Sequence, residues 1–123
     1  MSSKVWHAKI DGCKHMLCHG SSDPLRRPLC EACRTALYRA RVIDDAQTLL
    51  FRHGKDQMVK TIEECGELIV ALAKYRADGS PRSYDAVIDE IADVIIMTEQ
   101  MRQLFGRVAV EERILVKLER ALR

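Results

Sequence analysis

The chain has 123 residues, of which 47% are apolar and 31% are charged. This is the composition of a folded domain, in a chain too short for two full ones. No apolar run approaches the ~20 residues that cross a bilayer, and the first residues lack the apolar core of a secretory signal. We therefore expect a cytoplasmic protein without a membrane partner.

Charge is distributed unevenly along the chain. The net charge is +2, but residues 1–54 hold nine basic against five acidic residues, and residues 55–123 hold eleven against thirteen. Four of the five cysteines also lie in the first part. The chain is therefore expected to have two parts of different character, which we place at residues 1–36 and 37–123.

Residues 1–36 are predicted to form a small irregular module, because glycine and proline interrupt any long helix. Its cysteines, separated by four, eleven and two residues, are Cys13, Cys18, Cys30 and Cys33. In a reducing compartment such a cluster indicates metal before disulfides, and thiolates are preferred ligands of tetrahedral zinc. We predict structural Zn²⁺ held by the four cysteines. His15 or His19 in place of one cysteine, and reduced cysteines without metal, remain alternatives.

Residues 37–123 are predicted to form an all-α domain, because apolar residues recur at helical spacing and no segment alternates as a strand does. The four predicted helices, of which the first begins just inside the module, span residues 34–53, 57–75, 83–105 and 108–122. Gly54 is a predicted C-cap, Asp56 a predicted N-cap, and residues 78–81 a predicted turn.

Two short acidic clusters lie on the second and third predicted helices. Each contains a pair spaced i, i+3, Glu64 with Glu67 and Glu90 with Asp93, which places both carboxylates of a pair on one helix face. The positions of Glu90 and Asp93 interrupt an apolar stripe rather than lying opposite it. Carboxylates gathered in this way repel one another, so we expect a cation between them.

Two other interpretations of these clusters are possible from the sequence. The first is a structural ion network in which Lys60, Lys74 or Lys117 pairs with the carboxylates. The second is a di-iron carboxylate bundle, which normally needs Glu-x-x-His on paired helices. No histidine follows His53, so the sequence favours Mg²⁺ over iron.

The two motifs together resemble those of the MazG-like, all-α nucleoside triphosphate pyrophosphohydrolases. Glu-Glu-x-x-Glu stands at 63–67 and Glu-x-x-Asp at 90–93, with 22 residues between them. The resemblance covers about residues 42–123, and the cysteine-rich module departs from the family pattern. It implies a four-helix MazG-like bundle that assembles as a homo-dimer or homo-tetramer. It also implies Mg²⁺-dependent (or Mn²⁺-dependent) cleavage of a (deoxy)nucleoside triphosphate between its α- and β-phosphates, giving the monophosphate and pyrophosphate.

The resemblance also implies roles for particular residues. The magnesium ligands would be Glu64, Glu67, Glu90 and Asp93. Glu63 would be the catalytic residue that activates the attacking water or helps to hold a further metal. Lys117 would contact the substrate phosphates.

A function from another class is a zinc-finger adaptor or nucleic-acid-binding protein whose helical bundle serves only oligomerisation. Its support is a set of basic residues in and after the module, namely Lys14, Arg26, Arg27, Arg34, Arg39 and Arg41. Between Cys13 and Cys33, however, no aromatic residue offers a surface on which bases stack. Nucleic acid is therefore the less favoured partner.

Overall fold

The computed structural model describes residues 31–123, of which 92% are α-helical, and no strand occurs among them. The helices are α1 (Glu31–His53), α2 (Asp56–Asp78), α3 (Pro81–Phe105) and α4 (Arg107–Ala121). The all-α prediction is confirmed. Each predicted helix end lies within three residues of the observed one.

The turn between α2 and α3 has the chemistry that its sequence predicts. Gly79 adopts a left-handed conformation (φ 58°), and its N–H donates to the carbonyl of Tyr75 at 2.7 Å. Ser80 then caps α3, because its hydroxyl accepts the N–H of Ser83 at 3.1 Å. Pro81 follows at the start of the helix, where its missing N–H costs nothing. The two helices are thereby joined by a short reversal of the chain.

The connection between α1 and α2 agrees with prediction at one end only. Gly54 ends α1 with φ 57° and donates its N–H to the carbonyl of Leu50 at 2.8 Å. The prediction that Asp56 caps α2 is wrong. Lys55 occupies the cap position, in a helical conformation and without a side-chain cap bond. Asp56 lies in the first turn, where its negative charge interacts favourably with the positive end of the helix dipole.

By its internal contacts the chain divides into two compact units, Met1–Asp45 and Ala46–Arg123. In the first unit the structure describes residues 31–45, which belong to α1. In the second unit α2 and α3 form an antiparallel hairpin with an extensive interface, and α3 has a much smaller interface with α4. The carboxylate pairs therefore lie on the two helices that pack most closely.

A buried pair of glutamines fixes the register of this hairpin. The Nε2 of Gln57 on α2 donates to the Oε1 of Gln100 on α3 at 2.6 Å, and Gln100 is completely buried. Seven residues further along α2 is Glu64, and seven residues back along α3 is Asp93. Because antiparallel helices rise equally per residue, these two carboxylates lie across from each other. The same count of ten residues places Glu67 across from Glu90.

The second unit has a small core of its own. Its buried apolar residues are Ala46, Ala71, Val87 and Met97. Many larger apolar side chains stay exposed, among them Ile62 at 72% and Ile69 at 68%. On the predicted apolar side of α4, Val110 is half-buried, whereas the exposed residues are Ile114, Leu115, Leu118 and Leu122. Within residues 31–123, no helix combines the length and apolar character that a membrane span requires.

Candidate metal centre

Three carboxylates from the two helices meet at one place. Glu64 of α2 and Glu90 and Asp93 of α3 each contribute an oxygen, and these oxygens lie within 4.8 Å of one another. Glu64 is buried, Glu90 is half-buried and Asp93 is exposed. The cluster is therefore anchored in the hairpin on one side and open to solvent on the other.

Glu90 is the least satisfied member of this cluster. Its Oε2 is buried and has no hydrogen-bond partner. Burial, followed by the nearby charges of Glu67, Glu64 and Asp93, raises the pKa of Glu90 above its usual range. The missing hydrogen bond and the raised pKa both show that no positive charge of the described residues compensates this carboxylate where it faces the other acids.

Lys60 compensates part of the negative charge of the cluster through Glu64. Its Nζ lies 2.6 Å from Oε1 of Glu64 and 3.5 Å from Oε2 of Glu63. The hydrogen bond and charge of Glu64 raise the pKa of Lys60, so the lysine stays protonated at neutral pH. Lys60 therefore forms ion pairs of the kind that the structural-network interpretation predicts. In the described part of the chain, neither Lys74 nor Lys117 has a salt bridge within 4.0 Å.

The other predicted site residues lie at different distances from the cluster. Glu67 is exposed and does not belong to the 4.8 Å group, although it lies across from Glu90 and its charge acts on that residue. Glu63 is exposed and is held by Lys60. Lys117 is an exposed residue of α4. The structure thus brings together three of the four carboxylates expected to hold magnesium.

The donor set suits a hard divalent cation. All three donors are carboxylate oxygens, which Mg²⁺ prefers and softer metals do not. A buried oxygen without a partner and a surplus of negative charge are both features that a cation at this place would relieve. The residues present therefore fit Mg²⁺ or Mn²⁺.

A groove of about 550 Å³ runs between α2 and α3 beside these carboxylates. Residues of both helices line it: Glu63, Gly66, Glu67, Val70, Ala71, Lys74, Ala86 and Glu90. Sequence reasoning treated Lys74 only as a possible ion-pair partner and attached no role to Gly66. The signal for Lys74 was available, because it follows Glu67 by seven residues and so returns to the same helix face.

The predicted zinc site lies mostly outside the described residues. Cys13, Cys18 and Cys30 precede residue 31, as do His15 and His19, and the same holds for the basic residues at 14, 26 and 27. Cys33 is described, and it is a buried residue near the start of α1. Zinc binding and nucleic-acid binding therefore stay predictions.

Comparisons of the chain with family models, with curated proteins and with solved structures found no match. What the described residues define is an all-α chain with a carboxylate cluster in the interface of a helical hairpin.

Proposed function

We propose that the protein is a Mg²⁺-dependent nucleoside triphosphate pyrophosphohydrolase that cleaves between the α- and β-phosphates. The observation that carries the proposal is the meeting of Glu64, Glu90 and Asp93 with a buried, unpartnered oxygen on Glu90. The reaction class comes from the resemblance of the motifs at 63–67 and 90–93 to the MazG-like family, whose four-helix bundle we also propose for this chain.

Each carboxylate has a role in this proposal. Glu64, Glu90 and Asp93 would hold Mg²⁺ or Mn²⁺, with Glu67 beside them on the groove side. When bound, the ion supplies positive charge that offsets the charge of the phosphate oxygens during hydrolysis. Glu63 is exposed at the edge of the groove, where its carboxylate would accept the proton of the attacking water.

Two further parts of the proposal rest on the outer surface of the helices. Lys117 would contact the substrate phosphates, as the resemblance implies. A homo-dimer or homo-tetramer would cover exposed apolar side chains of α2 and α4 such as Ile69 and Leu115, which are 68% and 67% exposed. Light scattering on the purified chain measures the mass, and a monomer at micromolar concentration would contradict the assembly.

The test of the activity is pyrophosphate release from a panel of ribo- and deoxyribonucleoside triphosphates with Mg²⁺ or Mn²⁺. Asp93→Asn removes one ligand charge with almost no change in shape, and Asp85→Asn makes the same change at an exposed position of α3 outside the cluster. We expect Asp93→Asn to lower kcat/KM at least about 100-fold, since even outer-shell losses at metal sites cost 10- to 100-fold. Asp85→Asn should keep full activity.

Two outcomes would refute the proposal. One is a wild-type protein that cleaves no nucleotide of the panel with either metal. The other is an Asp93→Asn variant that is as active as Asp85→Asn, because the reaction would then not depend on the carboxylate cluster.

A further inference from the structure

The groove beside the carboxylates changes in character along α2. It begins at Glu63 and Glu67, continues past the small or apolar residues Val70 and Ala71, and ends at Lys74. From Glu67 to Lys74 the helix rises by about 10 Å. Along α2 the lining of the groove is therefore first acidic, then apolar and finally cationic.

This order matches the order of groups in a nucleoside triphosphate bound through a cation. The phosphates would lie at the carboxylate end with the metal. The sugar and the flat base would then cover the apolar middle, which Val70 and Ala71 of α2 and Ala86 of α3 form. The far edge of the base carries hydrogen-bond acceptors, and there it would meet Lys74. A lysine has three donors and no acceptor, so it is matched to such an edge.

Gly66 is independent support for an occupant of this groove. It lies in the interior of α2, where glycine costs about 1 kcal/mol relative to alanine. A Cβ at this position would meet no atom within 4 Å, so packing in the described chain does not require glycine. Because Gly66 has no side chain, the groove stays wide beside Glu67.

The state of the two lysines on α2 points the same way. Lys60 forms salt bridges with Glu64 and Glu63. Lys74 is exposed, and within residues 31–123 it has no salt bridge shorter than 4.0 Å. Val70 and Ala71, one turn earlier on the same face, are apolar. One turn later, hydrogen bonds from Ser80 and Ser83 lower the pKa of Asp78, and the charge of Lys74 adds to this effect. That carboxylate forms no salt bridge with the lysine.

We propose that this groove holds the nucleoside half of the substrate and that Lys74 donates a hydrogen bond to an acceptor on the base. The inference rests on the proposed function and adds to it the residue that contributes to base selectivity. Val70, Ala71 and Ala86 form the surface on which the base lies, and Gly66 leaves the space that it needs.

Lys74→Met tests the hydrogen bond, because methionine keeps the length of the side chain without its charge. Arg76→Met removes a charge from an exposed position of the same helix outside the groove and is the matched control. For the best nucleotide we expect Lys74→Met to raise KM about tenfold or more, the effect of losing one hydrogen bond to a charged group. The spread of kcat/KM among the four bases should shrink, and Arg76→Met should change neither quantity.

Inorganic tripolyphosphate separates contact with the base from contact with the phosphates. As a Mg²⁺-bound competitive inhibitor without a base, it should inhibit wild type and Lys74→Met equally well. If its inhibition weakens as much as nucleotide binding does, Lys74 contacts phosphate and the proposal is wrong. Equal losses of kcat/KM for all four bases would also overturn it.

Gly66→Leu tests the space, with Gly66→Ala as the control for helix propensity. Leucine should raise KM for nucleotides at least tenfold and leave tripolyphosphate inhibition unchanged, and both Gly66→Leu and Gly66→Ala should melt no lower than wild type. A lower assembly mass in Gly66→Leu would show instead that the groove is an interface between copies. Unchanged KM would show that the groove is not used. A wild type inactive on every nucleotide refutes the proposed function itself, whereas these variant patterns refute the base contact alone.

Discussion

The buried glutamine pair allows the most quantitative prediction about the hairpin that positions the carboxylates. Gln57→Met removes the donor that lies 2.6 Å from Oε1 of Gln100, and that oxygen belongs to a residue with no exposed surface. An orphaned buried acceptor costs about 1–3 kcal/mol. We therefore expect the free energy of unfolding to fall by about 2 kcal/mol, even though the amide of Gln100 keeps its bond to the carbonyl of Ile96 at 3.3 Å.

The double variant Gln57→Met/Gln100→Met should recover most of this loss. Methionine is close to glutamine in length and adapts to irregular space, so the pair becomes apolar without a cavity. We expect the double variant to lie within about 1 kcal/mol of wild type, and the coupling between the two sites to be about 1–2 kcal/mol.

The assay is urea unfolding followed by circular dichroism. Gln47→Met, at an exposed position of α1, is the matched control and should change stability by less than about 0.5 kcal/mol. Two results would contradict a coupled glutamine pair. A Gln57→Met variant as stable as the Gln47→Met control would show that the acceptor is satisfied in another way. A double variant that loses the sum of the single losses would show that the glutamines do not act as a pair.

Three further predictions concern charge and metal. Burial and the charge of Glu67 raise the pKa of Glu90, so the Glu90→Gln variant should melt at a higher temperature than wild type in EDTA. Mg²⁺ should raise the melting temperature of wild type and not that of Glu90→Gln. An equal rise in both proteins would contradict this. Hydrogen bonds from Ser80 and Ser83 lower the pKa of Asp78 below its ordinary 3.8. Its contribution to stability is thus present above pH 3.8 and is lost as pH falls through the lower folded value. Urea midpoints of wild type and Asp78→Asn should therefore differ at pH 7 and converge in acid, and a constant difference would refute this. Elemental analysis of protein purified without chelator should find one zinc per chain, and no zinc would exclude the cysteine site.

The helices were predictable because local signals determine them. Apolar residues at helical spacing mark each one, and Gly54, Gly79 and Ser80 mark the ends with conformations and bonds that few other residues supply. Asp56 failed as a cap for a local reason as well. The chain enters α2 through Lys55 in a helical conformation, which leaves no extended residue whose side chain can turn back to the first N–H groups.

The candidate site was predictable only in part, because its members come together through tertiary packing. The i, i+3 spacing places two acids on one face of each helix, but the register of the hairpin decides which acids meet. That register follows from Gln57 and Gln100, which are 43 residues apart. It places Glu64 across from Asp93 and Glu67 across from Glu90, and of the two α2 acids only the buried Glu64 has an oxygen in the closest group.

Helical spacing places Lys74 on the face of Glu67 but does not decide which of the lysines pairs with the acids. Three lysines were candidates for pairing with the acids, and which of them is engaged depends on side-chain reach. Lys60 lies one turn before Glu64 and bonds it, whereas Lys74 lies two turns beyond Glu67 and faces the groove. Helical spacing makes both positions available and does not decide between a structural ion pair and a binding residue.

Phosphorus NMR of one nucleoside triphosphate incubated with the protein and Mg²⁺ identifies the bond that breaks in the proposed reaction. We expect the triphosphate signals to give way to those of a nucleoside monophosphate and pyrophosphate in equal amounts. This should occur with wild type and Asp85→Asn, and not with Asp93→Asn or in EDTA. Formation of nucleoside diphosphate and orthophosphate, or unchanged triphosphate for every nucleotide tried, would contradict it.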